Sequence, residues 1–214
     1  MTIKAVLWDF GGVITTSPFE AFNRFEKAAS LPLNFIRKIN STNPETNAWA
    51  QLESSQISVE EFDLKFALEA RELGHEVTGS QVLALLSGDL RPEMVKALKI
   101  IKSTRKIGCI TNNVKSGEGP SMARNPDKAA QMNAVMDLFD VVVESSKVGI
   151  RKPDPEIYKL ACREMNIEPG EALFLDDLGI NLKPAKALGM STIKVLNTQQ
   201  ALNDLEDYLK MSVR

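Results

Sequence analysis

Five short runs of the chain carry apolar residues at consecutive rather than alternate positions: 3–8, 106–110, 140–143, 172–175 and 192–195. Unbroken runs rich in Val and Ile are the mark of strands buried on both faces, as in a parallel sheet. Helical patterns lie between the last four. Pro155 opens one at its first turn, with Ile157, Leu160 and Ala161 along it. A second covers 181–188 and stops at Gly189. Strand alternating with helix predicts an α/β fold, a Rossmann-like parallel sheet flanked by helices.

The first interval breaks that alternation. Between 15 and 90 the pattern holds no strand, only helical segments. Ser58 and Glu61 are spaced as a capping box, and Phe62, Leu64, Phe66, Ala67 and Leu68 follow on the helix it starts. Pro92 starts the helix of Met94, Val95, Leu98, Ile100 and Ile101 that returns to the sheet. The expected organisation is a core of 1–15 and 91–214 with a small all-helical cap, 16–90, inserted over the end of the first strand. Hinges are expected near 16–18 and 87–91. The irregular stretch 114–126, with Gly117, Gly119, Pro120 and Asn125, reads as a loop over the same end, either solvated or touching substrate.

Composition narrows the classes. Hydrophobic residues are 43% and charged residues 25%, which excludes a disordered or fibrous chain. Twenty-six basic against 28 acidic residues give a net charge of −2, with no basic footprint for nucleic acid or an anionic membrane. No apolar run is long enough to span a bilayer, and an acid at position 9 interrupts any secretory core. Cys109 and Cys162 make no disulfide framework, so a reducing cytoplasm is the expected location. The single histidine, His75, excludes a two-histidine metal site and reads as a solvated loop residue. Nothing in the chain sets an oligomeric state.

Ligands of open parallel sheets bind beyond the carboxyl ends of the strands. Here those ends carry Asp9, then Thr111, Asn112 and Asn113, then Asp176 and Asp177, with Lys152 in the turn before Pro155. Singly, each has a plainer role: a turn cap, a strand end, a surface lysine. Together, three acids, a hydroxyl and an amine at one rim call for a cation and an anion. Magnesium on Asp9 and Asp177, with a phosphate between it and Lys152, balances those charges.

The four pieces Trp8-Asp9-Phe10-Gly11-Gly12-Val13-Ile14, Ile110-Thr111-Asn112, Lys152-Pro153-Asp154-Pro155 and Leu175-Asp176-Asp177-Leu178-Gly179-Ile180-Asn181 resemble, in this order, the haloacid dehalogenase-like hydrolase superfamily. Residues 173–190 look especially like the N-terminal phosphatase domain of soluble epoxide hydrolases and the related domain of some acyl-CoA dehydrogenase fusions. The resemblance implies a nucleophilic Asp9 that forms an aspartyl-phosphate. It implies Thr111 and the backbone N–H of Asn112 as donors to the transferring group, and Lys152 as the amine pairing the phosphate and steadying Asp9. It implies Mg2+ held by Asp9, the backbone carbonyl of Gly11 and Asp177, with Asp176 neighbouring or water-linked and Asn181 supporting the loop. The implied substrate is a small phosphorylated metabolite.

One position departs from the pattern. Phosphatases of this superfamily usually carry a second Asp two residues after the nucleophile, as general acid; here it is Gly11. Losing a positioned proton donor costs about 10²–10⁴ in rate. Dehalogenases of the superfamily also lack that Asp, attack carbon and need no metal, so a 2-haloacid dehalogenase is an alternative. A non-catalytic phosphometabolite-binding protein is another. The tripeptide Asp9-Phe10-Gly11 has no kinase context, and Gly117-Glu118-Gly119 is not followed by a phosphate-loop lysine. In the cap, Trp49, Glu53 and Phe62 are candidates to face the site.

Overall fold

The computed structural model describes residues 2–113 and 126–214. The loop expected over 114–126 lies outside them, apart from Pro126. Strands β1 (Ala5–Trp8), β2 (Lys106–Thr111), β3 (Val141–Glu144), β4 (Ala172–Asp176) and β5 (Ser191–Lys194) pair in parallel, in the order β3-β2-β1-β4-β5. Each apolar run becomes one strand, its ends displaced by one or two residues.

The helices are α1 (Pro18–Ala28), α2 (Phe35–Ser41), α3 (Ala48–Glu53), α4 (Val59–Glu72), α5 (Gly79–Leu83), α6 (Pro92–Lys102), α7 (Pro126–Met136), α8 (Ser145–Val148), α9 (Pro155–Met165), α10 (Gly179–Ala187) and α11 (Thr198–Leu209). The central strand shows why the sheet needs two covers. Val6 and Trp8 point into one apolar cluster with residues of α6, α7 and α11. Ala5 and Leu7 point into the other with residues of α9 and α10. Successive residues of a strand face opposite sides, so an all-apolar run feeds both. Gly108 on β2 lets α9 approach: a Cβ there would stand 2.7 Å from both Leu7 Cδ2 and Met165 Sδ.

Helices α1–α5 close around a third apolar cluster, which includes Phe22, Phe35, Ile39, Leu52, Phe62 and Phe66. The capping box forms as expected, with Ser58 Oγ accepting from the Glu61 N–H and the Glu61 carboxylate accepting from the Ser58 N–H. Leu64 and Leu68 face outward, 69% and 56% exposed, because the helical repeat turns Phe62, Phe66 and Ala70 inward. The interval expected to hold no strand contains one isolated antiparallel bridge, Thr15 to Leu90. The Thr16 N–H donates to Asp89 O at 2.8 Å and the Arg91 N–H to Ile14 O at 2.9 Å, so the chain leaves and re-enters the sheet region side by side. No described helix is long and apolar enough to cross a membrane.

Candidate active site

The site grows from the carboxyl end of β1. The Asp9 N–H still donates to Leu175 O on β4 at 2.8 Å, and the chain then turns away. Gly12 makes that turn possible twice over. Its φ is +78°, and a Cβ there would stand 2.3 Å from Asp177 Oδ2. Gly11 has no such constraint, since a Cβ there meets nothing within 4 Å.

Asp9 Oδ1 accepts from the Phe10 N–H at 2.7 Å and from Lys152 Nζ at 2.9 Å. Lys152 Nζ also donates to Asp176 Oδ2 at 2.8 Å, and the lysine is 1% exposed. Asp176, fully buried at the end of β4, accepts further bonds from the Leu178 N–H at 2.8 Å and from Asn181 Nδ2, 3.1 and 3.0 Å from its two oxygens. Tyr158 braces Asn181 in turn, its hydroxyl donating to Asn181 O at 2.7 Å. Asp177 is half-buried, and Ser17 Oγ donates to its Oδ2 at 3.3 Å. One carboxylate oxygen from each of Asp9, Asp176 and Asp177 lies within 4.8 Å of the others.

Electrostatics follow from burial and crowding. Burial pushes the Asp9 carboxyl well above its ordinary range; Lys152 opposes that, while Asp176 and Asp177 add to it. Burial and then the neighbouring Asp176 push Asp177 up to about 6. Burial alone would lower Lys152, but Asp176 and Asp9 outweigh it and hold the ammonium charged. Three acids beside one amine leave excess negative charge in a largely buried place. Hard carboxylate oxygens in such a set suit a small divalent cation.

Thr111 is buried at the end of β2, in register with Glu144. Asn112, the next residue, clamps the main chain of Lys152: the Lys152 N–H donates to Oδ1 at 2.8 Å and Nδ2 donates to Lys152 O at 3.0 Å. Behind it lies a network that sequence reasoning missed. Asn113 Nδ2 donates to Glu144 Oε2 at 2.9 Å, and the Asn113 N–H donates to Ser145 Oγ at 3.0 Å. Ser17 on Asp177 was also missed. Its only sequence signal was its place in an expected hinge.

Of the three insert residues proposed to face the site, Phe62 does not: it is fully buried in the insert's own cluster, ring to ring with Trp49 and Phe66. Trp49 is half-buried at the edge of that cluster. Glu53 reaches the sheet region, where its Oε2 accepts from Arg151 Nε at 2.7 Å and Nη2 at 2.6 Å. Burial raises the Glu53 carboxyl, against the pull of Arg151 and a bond from Trp49. His75 is half-buried against the Phe35 ring rather than fully solvated.

A family model for the haloacid dehalogenase-like hydrolases matches residues 3–189, which take in β1 to β4 and the helical insert. The chain belongs to this family. The hydrolase is 33% identical over 212 residues to acyl-CoA dehydrogenase family member 10 and 30% identical over 218 residues to bifunctional epoxide hydrolase 2, both of Mus musculus. Each match covers 96% of this chain but only 19% and 39% of those relatives, so the hydrolase spans well under half of their length. Phosphatase MT3486 of Mycobacterium tuberculosis is 30% identical, with 89% of this chain and 86% of the relative covered. Three solved structures share the fold. A predicted HAD-like hydrolase from Porphyromonas gingivalis matches with a TM-score of 0.69 at 23% identity, over 99% of this chain and all of that one. A family enzyme of Bacteroides thetaiotaomicron in complex with magnesium and inorganic phosphate matches at 0.59 and 23% identity, over 94% and 98%. The L-2-haloacid dehalogenase of Xanthobacter autotrophicus matches at 0.60 and 20%, over 96% and 83%.

Proposed function

We propose that this hydrolase is a Mg2+-dependent phosphatase of small phosphorylated metabolites that works through an aspartyl-phosphate on Asp9. The observation that carries the reading is the grouping of Asp9, Asp176 and Asp177 oxygens within 4.8 Å beside a buried, charged Lys152. Attack on the carbon of a haloacid has no use for so many negative charges; attack on phosphorus with a bound cation does.

In this reading Asp9 Oδ1 stays tied to Lys152 and the Phe10 N–H, and Oδ2 attacks phosphorus as the P–O bond to the alcohol breaks. Asp9, Asp177 and the Gly11 carbonyl would hold the cation, with Asp176 neighbouring; when bound, Mg2+ would offset the repulsion between carboxylate and phosphate oxygens. Thr111 Oγ1 and the Asn112 N–H donate to the phosphoryl oxygens, and Lys152 pairs with them. Water then attacks phosphorus and gives up a proton to solvent, equal to the one the leaving alkoxide took from solvent, which returns the carboxylate and releases phosphate. Asp176 orients Lys152, and Asn181 orients Asp176. The helical insert, 16–90, is the cap over this core of 1–15 and 91–214, hinged beside the Thr15–Leu90 bridge. Two free, buried cysteines suit a reducing cytoplasm.

Gly11 supplies the reason for a second reading, since it provides no carboxylate to protonate a leaving alkoxide. A halide leaves without a proton, so a 2-haloacid dehalogenase fits that single feature. Among phosphates, the same feature favours acyl phosphates and sugar 1-phosphates, whose leaving groups need little protonation.

A panel of phosphate esters with and without Mg2+, run beside a short 2-haloacid, separates the readings. Metal-dependent phosphate release that Asp9→Asn abolishes is the expected result. Metal-independent halide release selects the dehalogenase. Tight binding of a phosphorylated metabolite without turnover defeats both.

A further inference from the structure

We propose that Glu53, carried by α3 of the helical insert, is a positioning residue for Lys152 and acts through Arg151 and Asn112. The inference rests on the reading of Lys152 as the amine that pairs the phosphate. Two things decide where that amine sits. Asp9 and Asp176 fix its tip, and Asn112 fixes its backbone with both ends of one carboxamide. A lysine chain is long, so the tip holds its place only if the backbone does.

Glu53 meets both groups that set the backbone. Its Oε2 takes two bonds from Arg151, the residue before Lys152, and lies 3.5 Å from Asn112 Nδ2. Arg151 Nη1 also donates to Pro44 O at 2.9 Å, which gives the arginine a second hold on the insert. Just beyond α3, Ser55 Oγ donates to Ser146 O at 2.7 Å and docks the same end of the helix on α8. Glu53 is 6% exposed, so water cannot replace it cheaply for Arg151 and Asn112. The insert has its own apolar cluster, distinct from the two that flank the sheet. When the insert lifts, Glu53 leaves with it, and the seat of Lys152 loosens. Closure over a substrate and seating of the amine are then one event.

The test combines phosphate release from p-nitrophenyl phosphate in saturating Mg2+ with hydrogen exchange at the Lys152 amide. Misplacing a reacting group by about 1 Å costs on the order of 10²-fold. Glu53→Ala is expected to lower kcat by about 10–100-fold with KM changed by less than about threefold. Its Lys152 amide exchanges at least about tenfold faster, while amides of β4 keep their protection. Glu53→Gln, which keeps a hydrogen-bonding oxygen, recovers part of both and is the variant to rely on if the alanine fails to fold. A Lys152 amide that exchanges as in the parent protein overturns the proposal. So does a raised KM at unchanged kcat, which makes Glu53 a binding or tethering group. If the parent protein releases no phosphate, the phosphatase reading fails on its own, and the exchange experiment still decides the positioning role.

Discussion

Two buried ion clusters lie next to each other along the chain and are built differently. The side chains of Asp9, Lys152 and Asp176 are 12%, 1% and 0% exposed, and all three spring from strand ends or loops of one sheet. Those of Glu53 and Arg151 are 8% and 23% exposed, and the pair joins a helix of the insert to a loop of the sheet. The first cluster has N–H donors from Phe10 and Leu178 and the amide of Asn181 around it, so its two carboxylates are fixed and only the backbone that carries Lys152 is left to shift. The second parts whenever the insert moves. Ion pairs this dry are poor sources of stability, because desolvation offsets the attraction. In the proposed mechanism their difference concerns motion: one cluster would carry the chemistry, and the other would report whether the insert is in place.

Removing the cation from the first cluster gives the largest effect. Lys152→Met leaves Asp9 and Asp176 facing each other in a buried site. Activity should fall by at least about 10³-fold, and denaturant unfolding should show a loss of about 3–5 kcal/mol. An unchanged midpoint would mean that the two carboxylates do not depend on the amine. Next comes Gly11→Asp, at an open position of the rim. A Cβ there meets nothing within 4 Å, so the fold should survive while hydrolysis of alkyl phosphates rises by up to about 10²-fold. A folded variant with flat rates sinks the argument from the missing acid.

The third effect is set by protons. With Asp177 raised to about 6, chiefly by burial, Mg2+ must displace a proton below that pH. Apparent Mg2+ affinity should weaken by at least about tenfold per unit below about pH 6, since burial raises Asp9 as well, and titration calorimetry would show it. In the metal-free protein the sign on stability is fixed by the same shift. Between 3.8 and about 6 the folded Asp177 holds a proton that the unfolded chain has released, so its contribution falls as pH rises through that window. Melting curves in EDTA and in Mg2+ should therefore separate above pH 6 and converge below it. The smallest effect belongs to the boundary: Ser55→Ala, which loses only the bond to Ser146 O, should cost about 1 kcal/mol. A loss as large as that of Lys152→Met would erase the contrast between the two clusters.

The parallel sheet was legible because its strands are buried on both faces, so each leaves an unbroken apolar run that nothing else explains. The rim was legible for a related reason: polar residues directly after such runs have nowhere to go but the strand ends, which is how Asp9, Thr111 and Asp176 could be placed together. The insert was not legible in the same way. Phe62 and Leu64 are equally apolar and two residues apart, yet one is the heart of a cluster and the other is solvated. Helical periodicity gives the angle between them and not which side faces the sheet. Glu53 was named for its position and Arg151 not at all, because a pair 98 residues apart is written by tertiary packing alone. Asn113 and Glu144 meet for the same reason, through the register of β2 and β3.

The Thr15–Leu90 bridge has an engineering corollary. On the proposed reading of 16–90 as a cap, the chain departs and comes back through one paired step, so its two leads are already joined. A helical insert from another family member whose ends meet at that spacing is expected to be accepted there with strand order unchanged. Such chimaeras would also exchange Glu53, so the seat of Lys152 is the feature to follow in them.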